Sequence, residues 1–348
     1  MTYEEYDLLD GQQRLTTIFL ILAVIRDITS NDNIRELCRT AVFQKEKRKA
    51  DMTLLKEFEE NIYSGKVYDR TTKQYRTRAP LLKKKGAETF KYIDNLFDVY
   101  RRIFDLKDVN GNFEATNYLE LMRVGLEADY WTAAVLSFCQ KFGFDTISAY
   151  DNFCRFLKLL DKKVSADWIC SQTPATRIEN VNSVIKAIET GNTPDKFFAS
   201  AVFNVKLSDL APILQEDIYK KRYSKYLMLK LDLLYHGSDT LFQPQSTISI
   251  EHILPQNPAQ DSQWLKDFSD TQRENWTDKL GNLILISRRK NSSLSNRDFA
   301  EKKKCYFEKN VELFSNSVRI ISAYNKWTPT DLKQNHADVL SKLLATYK

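Results

Sequence analysis

The chain is poor in the residues that break and staple polypeptides. Nine glycines and eight prolines are few for 348 residues. That excludes a turn-rich, all-β architecture and favours long helices. The five cysteines (Cys38, Cys139, Cys154, Cys170, Cys305) are scattered, odd in number and without a C-x-x-C pair. A disulfide framework and a four-cysteine zinc site are therefore excluded, and a reducing cytoplasm is the expected home. Long apolar runs are missing too: Ile18–Ile25 is too short to span a bilayer, so no membrane is expected. The N-terminal MTYEEYDLLDGQQR is acidic where a signal peptide is basic. A strong charge imbalance is also absent. The formal +6, from 52 Lys and Arg against 46 Asp and Glu, suits a polyanionic partner without identifying one.

The length allows two or three domains and a sizeable core. Tyr3–Leu9 reads as a short strand closed by the turn pair Asp10-Gly11, and Leu15–Ile28 as a buried helix. From about Asn31 to Glu60 charges interrupt the apolar positions, as on a solvated amphipathic helix. The basic stretch Ser64–Lys85 has little apolar periodicity and reads as a loop or linker. From Ala87 to Leu234 apolar residues recur at spacings of three and four, the pattern of helices sharing a core. GSDTLFQPQS (237–246) is the clearest boundary. Beyond it come two β-like runs, Thr247–Ile253 and Leu280–Ser287, then a helical segment at Asp298–Leu313 with Asn296 or Asp298 as cap. A final helix starts at Thr-Pro-Thr-Asp, with Pro329 in a favoured early position. The expected division is 1–85, 86–236 and 237–348.

Only three histidines are present, and one stands in IEHILPQNP (250–258), at the end of a β-like run and ahead of a proline. Hydrolysing a phosphodiester requires an activated water, a cation to carry developing negative charge, and groups that fix the geometry. A neutral histidine can take the proton. Mg²⁺ or Mn²⁺ prefers oxygen ligands and keeps several waters, so one carboxylate and one amide oxygen can suffice. Glu251, His252, Asn282 and Asn291 supply those types. Pleating sends Glu251 and His252 to opposite faces, so they share a site only where the strand ends and the chain bends. Taken singly, His252 reads as a packed or capping residue, the asparagines as turn residues, and Lys302–Lys304 as a solvated helix face.

The second concentration of signal is LLDGQQRLTTIFLI (8–21). A strand feeds a tight turn and then a helix whose first turn carries Arg14, Thr16 and Thr17. Free N–H groups at a helix start together with an arginine favour phosphate. An ordinary capped turn with a solvated Arg14 is the competing reading.

Together, IEHILPQ followed by LGNLILISRRKNSSLSNRDFAEKKKCY resembles the ββα-metal (HNH) nuclease domain at the C-terminus of GmrSD-type restriction proteins. DGQQR-L-T-T resembles the signature of the ParB/sulfiredoxin-like N-terminal domain of the same proteins. The resemblance implies a mainly α chain with small β elements: a partial ParB-like N-terminal segment, a helical middle, and an HNH domain with flanking helices. It implies His252 as general base, Glu251 and Asn291 as ligands of Mg²⁺ or Mn²⁺, and Asn282 as a brace that orients the base. Asn296 and Lys302, Lys303 and Lys304 also match the pattern, and the lysines are DNA-contact candidates. Asp10, Gly11, Gln12, Gln13 and Arg14 would line an NTP site. Family members carry more residues ahead of DGQQR than the nine here, so half of that pocket is expected to be missing and NTP hydrolysis is left open.

The function expected is that of a metal-dependent DNA endonuclease of a restriction or anti-phage defence system, gated by NTP or by DNA modification. The rivals are a non-catalytic nucleic-acid-binding regulator and an NTP-driven switch with a merely structural nuclease fold. RNA remains open as substrate. The basic and aromatic stretches KQYRTR (73–78) and VYRRIFDLK (99–107) read as solvated helix faces rather than DNA contacts.

Overall fold

A computed structural model describes residues 60–308 and 314–348, apart from 61–62, 70–72, 78, 81, 83–86, 106–110, 245–247 and 288–295. The expectations at Tyr3–Leu9, DGQQR and Leu15–Ile28 lie outside the described residues, as does Asn291. The chain divides into two compact units, Met1–Asp98 and Val99–Lys348.

In the first unit, β1 (Lys66–Asp69) pairs antiparallel with β2 (Gln74–Thr77), Lys66 facing Thr77 and Asp69 facing Gln74. This hairpin occupies a stretch that the sequence reading treats as loop. Its strands carry Val67, Tyr68, Tyr75 and Thr77, types that suit pleated backbone. Charged residues stand among them and disguise the alternation.

The described residues are mainly helical. They comprise α1 (Ala87–Phe104), α2 (Glu114–Gly125), α3 (Thr132–Phe142), α4 (Ile147–Ile169), α5 (Pro174–Thr190), α6 (Pro194–Phe198), α7 (Leu207–Gln215) and α8 (Ser224–Tyr235). Local chemistry starts three of them. Thr146, Thr173 and Thr193 each accept a backbone N–H from the first turn of α4, α5 and α6, and Pro174 and Pro194 fill early positions that have no N–H to satisfy. These helices enclose an aromatic core in which Phe138 stacks on Phe156 at 4.2 Å, with Phe153, Phe197 and Phe198 around them. No described helix is long and apolar enough to cross a membrane.

After α8 the chain forms β3 (Ile248–His252), α9 (Gln263–Asp267), α10 (Asp270–Trp276), a 3-10 turn (Leu280–Asn282), β4 (Leu283–Ser287), α11 (Phe299–Glu308), α12 (Ser315–Ala323) and α13 (Pro329–Ala345). β3 and β4 are antiparallel, with Ile248 opposite Ser287 and His252 opposite Leu283. The β-like run at 280–287 opens as the 3-10 turn because Gly281 and Asn282 suit tight backbone; the strand proper starts at Leu283. α13 starts as its sequence predicts: Thr328 and Asp331 form a capping box, with Pro329 in the first turn.

Alternation along β4 places the sheet between two cores. Leu283 and Leu285 join a cluster with Leu227, Leu231, Val339 and Leu343 of α8 and α13. Ile284 and Ile286 join another with Trp264, Phe299, Tyr306, Ile320 and Trp327. A strand buried on both faces reads as an unbroken apolar run, as LILI does. The same alternation sends Ile248, Ile250 and His252 of β3 to one side and Glu251 to the other.

Candidate functional site

His252 is the last residue of β3, and its side chain is 9 % exposed. Its Nε2 lies 2.8 Å from the Asp278 carboxylate, in the turn between α10 and the 3-10 segment. The ring of Tyr219 meets it edge-on, centroids 4.2 Å apart. Asp278 is itself held: Gln256 Nε2 donates to its carboxylate (3.0 Å), and its carbonyl accepts from Ile218 and Tyr219 N–H (2.9 and 3.2 Å). Burial lowers the imidazole pKa below its ordinary value. Asp278 opposes that shift, while the charges of Lys302 and Lys220 add to it. The ring is therefore neutral at pH 7. With a carboxylate at Nε2 the proton sits there, which leaves Nδ1 as the basic nitrogen. Among the described residues nothing bonds Nδ1.

Glu251 points the other way, into a pocket closed by α11. Lys302 Nζ lies 3.1 Å from its carboxylate and 2.6 Å from the His252 carbonyl oxygen. Both side chains are enclosed, at 12 % and 3 % exposure. Burial pushes the carboxyl pKa up and the ammonium down, and each charge partly restores the other. Lys302 thus faces the interior rather than solvent. Lys303 donates to the Tyr324 carbonyl and to Asn325 (2.9 and 3.1 Å). Lys304 and Asn296 are exposed.

Asn282 is fully buried and joins four groups. Its Oδ1 accepts from Leu254 N–H (2.8 Å) and Trp327 Nε1–H (3.3 Å), and its Nδ2 donates to the carbonyls of Leu254 and Thr277 (2.9 and 2.8 Å). Two of these bonds hold the chain just after His252 and one holds the residue before Asp278, so one side chain ties the two halves of the dyad together. The turn that carries it is clamped from α13. Asn335 donates to the Gly281 carbonyl (2.7 Å), and Gly281 N–H donates to His336 Nδ1 (3.2 Å). A Cβ on Gly281 would come within 2.5 Å of His336 Cα, so only glycine fits there.

Of the residues singled out in the sequence, the structure groups His252 with Asn282 around the Asp278 turn, and sets Glu251 with Lys302 on the opposite face of β3 rather than beside the imidazole. It adds Asp278, Tyr219, Trp327, Asn335 and His336. Asp278 had a signal, a carboxylate just ahead of LGN in a short polar turn, but only folding shows that the turn reaches His252. Among the described residues no three His, Cys, Asp or Glu side chains gather as a metal cluster. The donors that do converge, the Glu251 carboxylate and the His252 carbonyl, are hard oxygens that suit Mg²⁺ or Mn²⁺ rather than a soft metal. They converge on the Lys302 ammonium.

Residues 210–342 match the family model described as GmrSD restriction endonucleases, C-terminal domain. The match covers less than half of the chain and contains every residue of the site just described. It starts at 210, in α7, ahead of the polar stretch at 237–246. It supports a GmrSD-type protein and a restriction-endonuclease-type function, for which DNA is the implied substrate. No curated protein and no solved structure matched the chain.

Proposed function

We propose that this chain is a metal-dependent DNA endonuclease of a restriction system, built on an HNH-type strand–strand–helix unit formed by β3, β4 and α11. The observation that carries the reading is the His252–Asp278 pair at the end of β3, inside the segment matched by the restriction-endonuclease family. Asp278 holds the imidazole in one tautomer, and Nδ1 takes the proton from the attacking water. Tyr219 and the Asn282 bonds keep the ring from swinging away. Glu251, together with Asn291, would hold Mg²⁺ or Mn²⁺, which supplies positive charge to the phosphate and leaving oxygen when bound. NTP binding at Asp10–Arg14 and dependence on modified foreign DNA belong to the same proposal, as does a cytoplasmic setting.

One observation favours a second reading, DNA binding without cleavage: the Glu251 carboxylate is already engaged by a buried ammonium. A plasmid-cleavage assay decides between them. It uses the full chain and its His252→Ala variant in Mg²⁺, Mn²⁺ or EDTA, on modified and unmodified DNA, with and without NTP. The nuclease reading expects metal-dependent cutting that falls by about 10²–10⁴ in the variant, the usual share of a general base. Equal cutting by both proteins, or DNA binding without cutting under every condition, would sink it.

A further inference from the structure

A second group of basic residues stands apart from Lys302–Lys304, with Lys220 Nζ 5.6 Å from the centre of the Tyr219 ring. The turn between α7 and α8 reads YKKRYSK (219–225). With Ile248, Ser249 and Ile250 of β3 it lines an open cleft of about 410 Å³. Lys220, Lys221 and Arg222 are exposed and Lys225 is half-buried. Arg222 reaches Glu127 at 3.3 Å. Among the described residues no carboxylate pairs with Lys220, Lys221 or Lys225. The nearby acids Glu216 and Asp217 are taken by Lys279, at 3.7 and 3.2 Å.

Two features aim this cleft at the dyad. Ile248 and Ile250, which line the cleft and are half-buried against the core under β3, alternate onto the same face of the strand as His252. Tyr219 both lines the cleft and meets the His252 ring. The turn is also rigidly mounted. Ile218 and Tyr219 N–H bond the Asp278 carbonyl, Asp217 bridges to Lys279, and buried Ser224 holds the Ile218 carbonyl. Lys220 takes a left-handed conformation with φ of 65°, a strained backbone for a lysine.

We infer that this cleft is the phosphate-backbone seat of the site: Lys220, Lys221 and Lys225, with the Tyr219 edge, hold the phosphodiester chain of a nucleic-acid duplex against the face of β3 that ends at His252. The inference rests on the nuclease reading for the identity of the polymer. It rests on the cleft for the residues. Three cations on one cleft suit a polyanion better than one small anion, and such contacts position the chain without reading its sequence.

The test is fluorescence anisotropy of a labelled DNA duplex in EDTA across a range of salt, alongside the cleavage assay. It compares the full chain with Lys220→Gln/Lys221→Gln/Lys225→Gln, His252→Ala, and the distant exposed control Lys186→Gln/Lys196→Gln. The triple variant should bind about a hundredfold more weakly at moderate salt. Its log–log salt slope should flatten by about two to three, near 0.9 for each lost phosphate contact. The control should bind as the parent does. If the triple variant melts below the parent, Lys221→Glu, a reversal on an exposed side chain, carries the same test. A folded triple variant with parental affinity and slope overturns the seat while leaving the His252 chemistry intact. Loss of binding in the triple variant, with His252→Ala still cutting, upholds the seat and overturns His252 as the base. A parent chain that binds no duplex overturns both. Competition with duplex RNA tells which polymer fills the cleft.

Discussion

Replacing Asn282 by alanine removes four hydrogen bonds and supplies no substitute. Three main-chain groups and one indole N–H lose their partner in a place where Asn282 itself has 0 % exposure. Each stranded buried group costs about 1–3 kcal/mol. Taking the low end, because a water can enter the space left by the amide, gives a loss of about 4 kcal/mol. For a unit of this size that corresponds to a fall in melting temperature of roughly 8–16 °C, at about 2–4 °C per kcal/mol. Thermal and urea unfolding of the full chain, followed by far-UV circular dichroism, reads it directly.

Asn282→Asp separates hydrogen bonding from mere volume. A carboxylate still accepts from Leu254 and Trp327, but it has no hydrogen to give the carbonyls of Leu254 and Thr277. Facing two acceptors, the introduced carboxyl has a folded-state pKa above its unfolded value. Stability is therefore highest when the group is protonated and is lost as pH rises through the folded pKa. At neutral pH this variant should be no better than Asn282→Ala, and it should gain on it as the pH is lowered. A loss under about 1 kcal/mol for Asn282→Ala, or an Asp variant that tracks the Ala variant at every pH, would refute the account of Asn282 as a brace.

Further outcomes follow from neighbouring groups. Lys302→Met leaves Glu251 buried without its counter-charge and should destabilise by about 3–5 kcal/mol near neutral pH, breakage of a buried pair being costly; the loss should shrink in acid as Glu251 protonates, and Mn²⁺ should raise the variant's melting temperature more than the parent's. Asp278→Asn keeps the size of the side chain but not its charge. It should slow cleavage at least about tenfold, within the range a positioned base contributes, and move the acid limb of the pH–rate profile lower, since Asp278 is what holds the His252 pKa up; an unchanged profile would remove Asp278 from the dyad. Burial pushes the Asp232 carboxyl up to about 7, against the helix-start N–H groups of Asn316 and Ser315. Its raised folded pKa means stability present in acid and lost as pH rises between about 4, the unfolded value, and about 7. Asp232→Asn, which can still accept from Asn316, should flatten that dependence in pH-resolved urea titrations.

After residue 237 the two strands, the helix that follows them and the last helix were legible, because periodicity changes there from three-and-four spacing to apolar runs and because Thr-Pro-Thr-Asp is a local start signal; α9 and α10, which fill what reads as a long loop between the strands, and α12 were not. Glu251 and His252 were visible as types at a strand end. That they face apart, one to Lys302 and the other to Asp278, follows from pleating once β3 is placed. Other features were not legible for definite reasons. Lys302 looks like a solvated helix lysine, since its burial depends on α11 lying over β3, a tertiary fact. Asp278 sits 26 residues from His252, and no local pattern links them. The β1–β2 hairpin was hidden by charges at strand positions. YKKRYSK reads as an unremarkable basic turn until Asp278 and Lys279 fasten it beside the imidazole.

The clamp that α13 places on the Gly281–Asn282 turn has a consequence for how such a protein is made. Every proposed reacting group precedes residue 300, whereas the residues that hold the turn in shape, Trp327, Asn335 and His336, arrive last. A polypeptide cut short by a stalled ribosome or a protease anywhere before α13 would carry the cutting groups without their alignment. On the nuclease reading, damaged copies would thereby be disarmed.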